Sequence, residues 1–175
     1  MNINIYDFKN TNNTYKLTIT KTIIWDEIIK INPSKYKKDP FNQAKELYAL
    51  LTKGIHLNDE DIENGYMLAF NKKGELLGIF HCTIGTEKHC VWNPEIDLIR
   101  LKLIGAKYFL LSHNHPHVWG KDIRQSSIDD RRMTELYIRI GKEYDYELLD
   151  HLLIGRDGYG SMRKSSSIFE EWRYE

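Results

Sequence analysis

The segment that most limits how this chain can fold is KYFLLSHNHP, residues 107–116, an apolar run that ends in two histidines and a proline. KYFLLSH has the length and composition of a buried strand. Side chains two residues apart on a strand point to the same side, so His113 and His115 project together. Pro116 removes a backbone donor and ends the ladder, which places the pair where the strand opens into a loop. The fold must therefore contain a buried strand whose end carries two neighbouring imidazoles.

Two histidines at this spacing leave two interpretations open. Both can reach one metal ion at about 2.0–2.1 Å, as zinc ligands do. They can equally be a polar strand end with solvated imidazoles, because zinc needs at least one more protein ligand. Spacing alone does not separate the two interpretations.

A third ligand has to come from residues further along the chain, where the acidic candidates are Asp122, Asp129 and Asp130. In SIDD, Ser127 is placed to cap a helix N-terminus and Asp130 to be the third helical residue. S-x-x-D before an apolar run is a capping box, and on these residues alone capping is the stronger interpretation. The two roles are compatible, because a carboxylate in the first helical turn can also face a metal ion. Two histidines and one aspartate would leave a fourth position for water, as in catalytic zinc sites.

The other segments predict a single mixed sheet with helices packed against it. Residues 40–54 have the apolar spacing of an amphipathic helix that starts at a proline and ends at Gly54. Residues 65–85 predict a hairpin that turns at 71–74. Further helices are expected at 93–106 and 126–144, and two short strands on either side of RDG at 156–158. This order of elements predicts an α/β (α+β) domain.

The first 39 residues are the least readable part of the chain. YKLTITKTIIW at 15–25 is rich in β-branched residues, and NPSKYKKDP at 32–40 is a basic, turn-rich connector. We expect an N-terminal appendage over 1–39, packed on the domain or on a partner. The main domain is expected over 40–163 and a C-terminal tail over 164–175.

The charge balance narrows the class of partner. The 25 basic and 25 acidic residues cancel, and the isoelectric point is about 7.1. Sequence-independent nucleic-acid binding needs a basic face, so this balance argues against DNA as a direct partner, although it leaves room for a local basic patch. The start of the sequence has no signal-peptide pattern, and no apolar run approaches the ~20 residues of a membrane helix. With only Cys82 and Cys90, a soluble cytoplasmic protein with reduced thiols and no membrane partner is expected.

The order of motifs resembles one known family. SHNHP, then a helix beginning SIDDRRMT, then LLDHLLIGRDGYGS is similar to the RadC branch of the JAMM (MPN-type) metalloproteases. Upstream, GYMLAFNKKGELLG resembles the first hairpin of that branch, and IGTEKHCVWNPEIDLIRLKL resembles its GT turn and following helix. The resemblance covers about residues 40–162. It implies a JAB/MPN fold of the cytidine-deaminase-like kind and a Zn²⁺ cofactor.

The resemblance also implies a ligand set. His113, His115 and Asp130 match the family's zinc ligands. Asp130 is preferred over Asp129 because Thr134 then falls four residues later, as in the family pattern S-x-x-D-x-x-x-T.

Two further residues match catalytic positions of the family. Ser127 corresponds to the serine that helps to stabilise the oxyanion, and Glu63 to the glutamate that acts as general base. The implied reaction is hydrolysis of an amide bond in a protein or peptide, which in the wider group is often an isopeptide bond to a ubiquitin-like protein. Zinc activates water, Glu63 shuttles the proton, and zinc and Ser127 hold the oxyanion.

Two other functions belong to different classes. Because the RadC branch has an old association with DNA repair, the chain can be a DNA-repair-associated or mobile-element-associated metal-binding interaction module without peptidase activity. A catalytically silent scaffold is the other alternative, and the complete ligand set argues against it.

The sequence departs from the family immediately after the histidines. HPHVWG stands where the family has HPSG, and the stretch between His115 and Asp130 is longer than usual. The extra residues, 118–125, are expected to form a longer loop. That loop can shade the zinc, reshape the substrate groove through Trp119, or bring Asp122 into competition as a ligand.

Several other histidines and cysteines are given no ligand role. The His–Cys pairs at 81–82 and 89–90 fit no zinc-finger spacing, and core or surface placement is expected for them. His117 is expected to be a loop residue near the substrate. His151 matches a family position and is expected to be structural or to orient a ligand.

Overall fold

The computed structural model describes residues 1–12, 14–119, 126–164 and 172. The strands are β1 (Asn2–Thr11), β2 (Thr14–Ile24), β3 (Asn64–Phe70), β4 (Leu76–Ile84), β5 (Tyr108–Asn114), β6 (Glu147–Ile154) and β7 (Tyr159–Ser161). The α-helices are α1 (Pro33–Lys38), α2 (Pro40–Gln43), α3 (Lys45–Ala49), α4 (Pro94–Ile104) and α5 (Ile128–Glu143). Among the described residues the strands form one mixed sheet in the order β2-β1-β4-β3-β5-β6-β7. The expected α/β fold with a single mixed sheet is confirmed.

Helices cover both faces of this sheet, so the central strands are buried on both sides. Alternation along β3 sends Leu68 and Phe70 to one core, where they meet α1–α3, and Met67 and Ala69 to the other, where they meet α4 and α5. None of the described helices is long and apolar enough to cross a membrane.

Strand β5 lies inside the sheet, with β3 antiparallel on one side and β6 parallel on the other. Its residues from Phe109 to Asn114 are all buried. Helix α5 is part of the connection from β5 to its parallel neighbour β6, as such a crossover requires. The end of β5 and the start of α5 therefore lie at the same end of the strands. The candidate site is at that end.

The predicted hairpin is formed by β3 and β4. The Asn71 side chain accepts from the backbone amides of Lys73 and Glu75 and so holds the turn. Gly74 has a φ of 76°, and a Cβ there would lie 1.9 Å from the carbonyl oxygen of Ile31. Both the left-handed conformation and this close approach require glycine.

The predicted helix over 40–54 is present in a more broken form. Helices α2 and α3 follow one another with Ala44 in right-handed helical conformation between them, and a π turn over Leu50–Gly54 ends the segment. The wider last turn buries the adjacent side chains of Leu50 and Leu51 completely. A regular α-helix would turn these two neighbours further apart, so core packing accounts for the difference.

The N-terminal segment extends the sheet that carries the candidate site. Strands β1 and β2 form an antiparallel hairpin, and β1 pairs in parallel with β4 at Ile5–Ile79 and Tyr6–Phe80. Strand β2 is the outer edge of the sheet, and most of its residues are exposed. The first 24 residues thus continue the sheet, while the division of the chain at 39/40 and 163/164 stays a prediction.

Candidate metal centre

The end of β5 and the first turn of α5 bring three potential metal ligands together. The Nε2 atoms of His113 and His115 lie 2.8 Å apart. Asp130 presents Oδ1 at 3.1 Å from His113 Nε2 and Oδ2 at 3.6 Å from His115 Nε2. One ligand atom from each residue lies within 4.8 Å of the others, and His113 is fully buried.

The donor set fits a zinc ion. Bonds of about 2.0–2.1 Å in tetrahedral directions place ligand atoms about 3.3 Å apart, and the three closest separations fall on either side of that value. Two imidazole nitrogens and one carboxylate oxygen are also ligands that zinc commonly takes in proteins. His113, His115 and Asp130 are therefore the residues that could hold the metal.

Asp130 has the capping role and the metal-facing position at the same time. The Ser127 hydroxyl accepts from the Asp130 amide at 3.0 Å, and Asp130 Oδ2 accepts from the Ser127 amide at 2.8 Å. These two bonds form the capping box at the start of α5. The box holds the carboxylate in one orientation, so that it also faces the histidines.

The electrostatics of Asp130 favour its charged form. Burial alone would raise the pKa of Asp130, but its contacts with the imidazoles of His113 and His115 outweigh burial and hold that pKa well below its usual range. The carboxylate is therefore ionised at neutral pH, which is the form that binds a metal ion.

Glu63 lies beside this group, immediately before β3. Its backbone extends the hairpin, since its amide donates to Thr86 O at 2.8 Å and its carbonyl accepts from the Gly85 amide at 2.7 Å. The register of β3 against β5 pairs Gly65 with His113, which brings the Glu63 segment to the ligand end of β5. Glu63 is 8% exposed, and its pKa is raised by burial, partly offset by His113 and His115.

Asn114 holds the Glu63 segment in place. Because it lies between the two histidines on a strand, its side chain points to the opposite side. It accepts from the Asn64 amide at 2.7 Å and donates to Ile62 O at 3.0 Å and Glu60 O at 3.3 Å. The strand that supplies the histidines thus also fixes the backbone on both sides of Glu63.

Arg156, after β6, joins the loops at this end of the sheet. Its guanidinium donates to Pro116 O at 2.8 Å and to Asn58 O at 3.0 Å. It also forms an ion pair with Asp61 at 2.7 Å. The chain that follows His115 is therefore tied to the chain that precedes Glu63.

A second row of buried polar side chains lies behind His113. His113 Nδ1 is 2.8 Å from His151 Nε2, and His151 Nδ1 is 2.7 Å from Thr134 Oγ1. Thr134 Oγ1 in turn donates to the carbonyl oxygen of Asp130 at 2.7 Å. Burial, followed by the neighbouring His113, lowers the pKa of His151 well below the ordinary histidine value, so His151 is neutral.

Two of the candidate ligands, His115 and Asp130, border a cavity of about 710 Å³, whereas His113 is fully buried. Glu63 and Ser127 line this cavity, as do the apolar side chains of Trp92 and Met133. The volume is in the range of small-molecule pockets. A substrate in the cavity would meet the metal group, Glu63 and Ser127 together.

The other sequence-predicted residues have different positions. His117 lines the same cavity, and its expected place near a substrate stays a prediction. Asp129 has a side chain that is 75% exposed and pairs with Arg132 at 3.7 Å, so it is not part of the ligand group. Asp122 and most of the lengthened loop lie outside the described residues, whereas Trp119 is described and 62% exposed.

The His–Cys pairs form no second metal group among the described residues. Cys82 and Cys90 are free and half-buried. His81 bonds to Asn64 Oδ1 at 2.9 Å and stacks on Tyr66. His89 and Cys90 line the same cavity as Glu63, and the absence of a ligand role for both pairs stays a prediction.

Comparison with known proteins identifies relatives. Residues 41–167 match the family described as RadC-like JAB domain. The chain is 26% identical over 113 residues to a UPF0758 protein of Picosynechococcus sp., a match covering 65% of this chain and 45% of that protein. A UPF0758 protein of Chlorobium luteolum is 28% identical over 125 residues, covering 71% and 53%. One of Alkaliphilus metalliredigens is 30% identical over 99 residues, covering 56% and 40%. The chain thus spans about half the length of the curated relatives it matches.

Proposed function

This chain belongs to the RadC-like JAB family, and from that premise we propose that it is a zinc-dependent hydrolase that cleaves an amide bond, including an isopeptide bond, in a protein or peptide substrate. One observation carries the proposal: His113 converges with His115 and Asp130, and these last two line the same cavity as Glu63 and Ser127. Membership of the family supports the metal-dependent hydrolase class, and the peptide substrate is the proposed part.

A zinc ion held by His113, His115 and Asp130 would act as a Lewis acid at the cavity. The two histidines would contribute imidazole nitrogens and Asp130 a negatively charged carboxylate. The capping box keeps the carboxylate oriented without help from the metal, so the ligand group is preorganised.

Glu63 is the proposed general base. Its burial raises its pKa, with His113 and His115 acting in the opposite direction, and a carboxylate with a raised pKa is a better proton acceptor near neutral pH. The Glu63 carboxylate takes the proton from the attacking water. The same group then delivers that proton to the nitrogen of the leaving amine, so one side chain serves both transfers.

Ser127 is the proposed donor to the oxyanion. Its hydroxyl oxygen accepts from the Asp130 amide, which leaves the hydroxyl hydrogen able to donate. A donor at the mouth of the cavity can stabilise the negative charge that develops on the carbonyl oxygen. The capping box fixes the position of this donor before the substrate arrives.

The proposal is tested on the full chain by metal analysis and peptide hydrolysis. We expect about one zinc ion per chain in freshly purified wild type and none in His113→Ala or Asp130→Ala. Hydrolysis is followed by mass spectrometry with a mixture of synthetic peptides and a lysine-isopeptide-linked peptide pair. Glu63→Gln should keep zinc and lower hydrolysis at least ~100-fold, the usual scale for a general base.

Glu87→Gln is the matched control, because Glu87 lines the same cavity and is exposed. It should retain both zinc and activity. Absence of metal from the wild type, or equal hydrolysis by wild type and Glu63→Gln, would overturn the proposal. Tight binding to duplex DNA in fluorescence anisotropy, without hydrolysis of either peptide probe, would favour the DNA-associated module instead.

A further inference from the structure

We infer that Thr134 and His151 are positioning residues that hold His113 in the tautomer whose Nε2 lone pair faces the metal group. The inference rests on the proposed metal-binding role of His113. It concerns how the protein prepares that ligand before any metal arrives, and it involves two side chains that do not belong to the ligand group.

The geometry is a continuous chain of short contacts. It runs from Asp130 O to Thr134 Oγ1 at 2.7 Å, on to His151 Nδ1 at 2.7 Å, and from His151 Nε2 to His113 Nδ1 at 2.8 Å. The three side chains are fully buried. Each polar group in the chain therefore depends on its neighbours for hydrogen bonding.

The direction of the protons follows from the end of the chain. A backbone carbonyl oxygen only accepts, so the single hydroxyl hydrogen of Thr134 must point to Asp130 O for that 2.7 Å contact to be a hydrogen bond. The other acceptor near Thr134 Oγ1 is Met162 Sδ at 3.4 Å, and a thioether is a weak acceptor. The hydroxyl oxygen is then left to accept, and His151 Nδ1 must donate to it.

The same reasoning continues to the metal group. A neutral imidazole carries one hydrogen, so a His151 protonated at Nδ1 accepts at Nε2. His113 Nδ1 must therefore donate to it. Nε2, which lies 3.1 Å from Asp130 Oδ1, is then the nitrogen of His113 at which a metal ion can bind.

The reverse direction fails at the Thr134 end. If Thr134 donated to His151, its oxygen would face the carbonyl oxygen of Asp130 at 2.7 Å with no hydrogen between them. His151 would donate to His113 Nδ1, which would move the hydrogen of His113 to Nε2. That hydrogen would point to Asp130 Oδ1, 3.1 Å away, and a metal ion would have to displace it.

Thr134 is needed because an imidazole does not fix a direction by itself. Metal-binding histidines usually donate to a carboxylate or a carbonyl group, which can only accept. His151 can accept or donate at either nitrogen, so a third group has to decide. Thr134 decides because it lies one helical turn after Asp130 and reaches its carbonyl, as helical threonines can. Asp130 thus contributes its side chain to the metal group and its backbone to this chain.

The test compares Thr134→Val, which keeps the shape and removes the hydroxyl, with Thr134→Ser, which keeps the hydroxyl. Thr52→Val is the matched control, because Thr52 also donates to the carbonyl four residues earlier, at 2.8 Å from Tyr48 O, away from the site. Imidazole tautomers are read in the metal-free full chain by ¹⁵N NMR, and zinc affinity by competition with a chelator.

In the wild type we expect His113 to carry its hydrogen at Nδ1. Thr134→Val should give mixed tautomers at His113 and His151 and bind zinc about 10–100-fold more weakly, the usual effect of removing such a supporting group. Thr134→Ser and Thr52→Val should behave as the wild type.

Two results would overturn the inference. One is a wild-type His113 that carries a hydrogen at Nε2 and none at Nδ1 in the metal-free protein, a result that requires no variant to fold. The other is Thr134→Val with a single Nδ1-protonated His113 and wild-type zinc affinity. A protein that shows the expected tautomers and zinc affinities but hydrolyses no peptide would refute the proposed function and leave this inference standing.

Discussion

Asp150 and His151 are neighbours on β6, and both are completely buried titratable side chains, but their hydrogen bonds serve different purposes. Asp150 accepts from donors only: the Tyr36 hydroxyl at 3.1 Å, the Ser161 hydroxyl at 2.6 Å and the backbone amides of His151 and Arg163. His151 accepts from one side chain and donates to another. Burial of an ionisable group therefore does not by itself mark a functional site. What distinguishes His151 is that one of its hydrogen-bond partners, His113, is a proposed metal ligand. The partners of Asp150 are not part of the metal group.

The largest expected effect comes from removing the acceptor of Asp150. Asp150→Ala leaves buried donors without a partner, and we expect it to lower the free energy of unfolding by about 3–5 kcal/mol. The ligand group is untouched, so zinc per folded molecule should stay that of the wild type. Urea denaturation of the metal-free protein and metal analysis of the folded fraction measure the two quantities. Asp26→Ala, at an exposed position, is the control and should change stability by less than ~0.5 kcal/mol. If Asp150→Ala lost zinc and kept the stability of the wild type, Asp150 rather than His151 would be the residue that supports the metal group.

The second prediction concerns the pH dependence of stability. Burial raises the pKa of Asp150 to about 6, despite hydrogen bonds that lower it, whereas an unfolded aspartate titrates near 3.9. The folded state therefore binds more protons between these values. The stability from this group is fully present below about pH 4 and is lost as the pH rises through about 6, a change of about 2–3 kcal/mol. Denaturation of metal-free wild type and Asp150→Asn from pH 4 to 8 should show this slope only in the wild type. Parallel curves would contradict it.

A third prediction concerns local opening beside the metal group. Asn114→Ala removes the acceptor of the Asn64 amide, so that amide should exchange with solvent about 10–100-fold faster, equivalent to about 1–3 kcal/mol. The amide of Met67, further along β3, should keep its exchange rate, and zinc content should not change. Hydrogen exchange followed by NMR separates the two amides. Equal protection of Asn64 in both proteins would show that Asn114 does not hold the Glu63 segment.

The smallest effect is expected at Asp129, which lies next to a proposed ligand and pairs with Arg132 on the surface. Asp129→Asn should change zinc affinity less than ~2-fold, because an exposed ion pair contributes little. Asp130→Asn should weaken zinc binding at least ~100-fold, since it removes the charged ligand. Chelator competition measures both. If Asp129→Asn lost zinc and Asp130→Asn did not, Asp129 would be the ligand and Asp130 would not.

Much of this fold could be predicted from local sequence patterns. The hairpin turn at Asn71–Gly74, the helix closed by Gly105 and the capping box at Ser127 all depend on residues close together in the sequence, and each is where the sequence predicted it. One regular helix was predicted over 40–54, whereas the segment is divided and ends in a π turn. The burial of both Leu50 and Leu51 in that turn depends on distant parts of the core.

The contacts that the sequence could not provide are those between distant segments. Parallel pairing of Ile5 with Ile79 joins residues far apart in the chain, and no local turn pattern predicts this pairing. The contact between His113 and His151 needs β5 and β6 as parallel neighbours. Thr134 served only to choose Asp130 as ligand, although its spacing from Asp130 already indicated a hydrogen bond to that carbonyl.

The outer strand β2 has a consequence for how the protein behaves in a concentrated solution. An exposed edge strand is a template on which another chain can add a strand, and Ile19 and Ile24 are exposed on this one. The net charge of the whole chain is zero at pH 7, so long-range repulsion between molecules is weak. Lys16 and Lys21, both exposed, are the charged side chains of β2, so each edge that meets another brings two positive charges with it. We therefore expect these two local charges, rather than the net charge of the molecule, to oppose edge-to-edge aggregation.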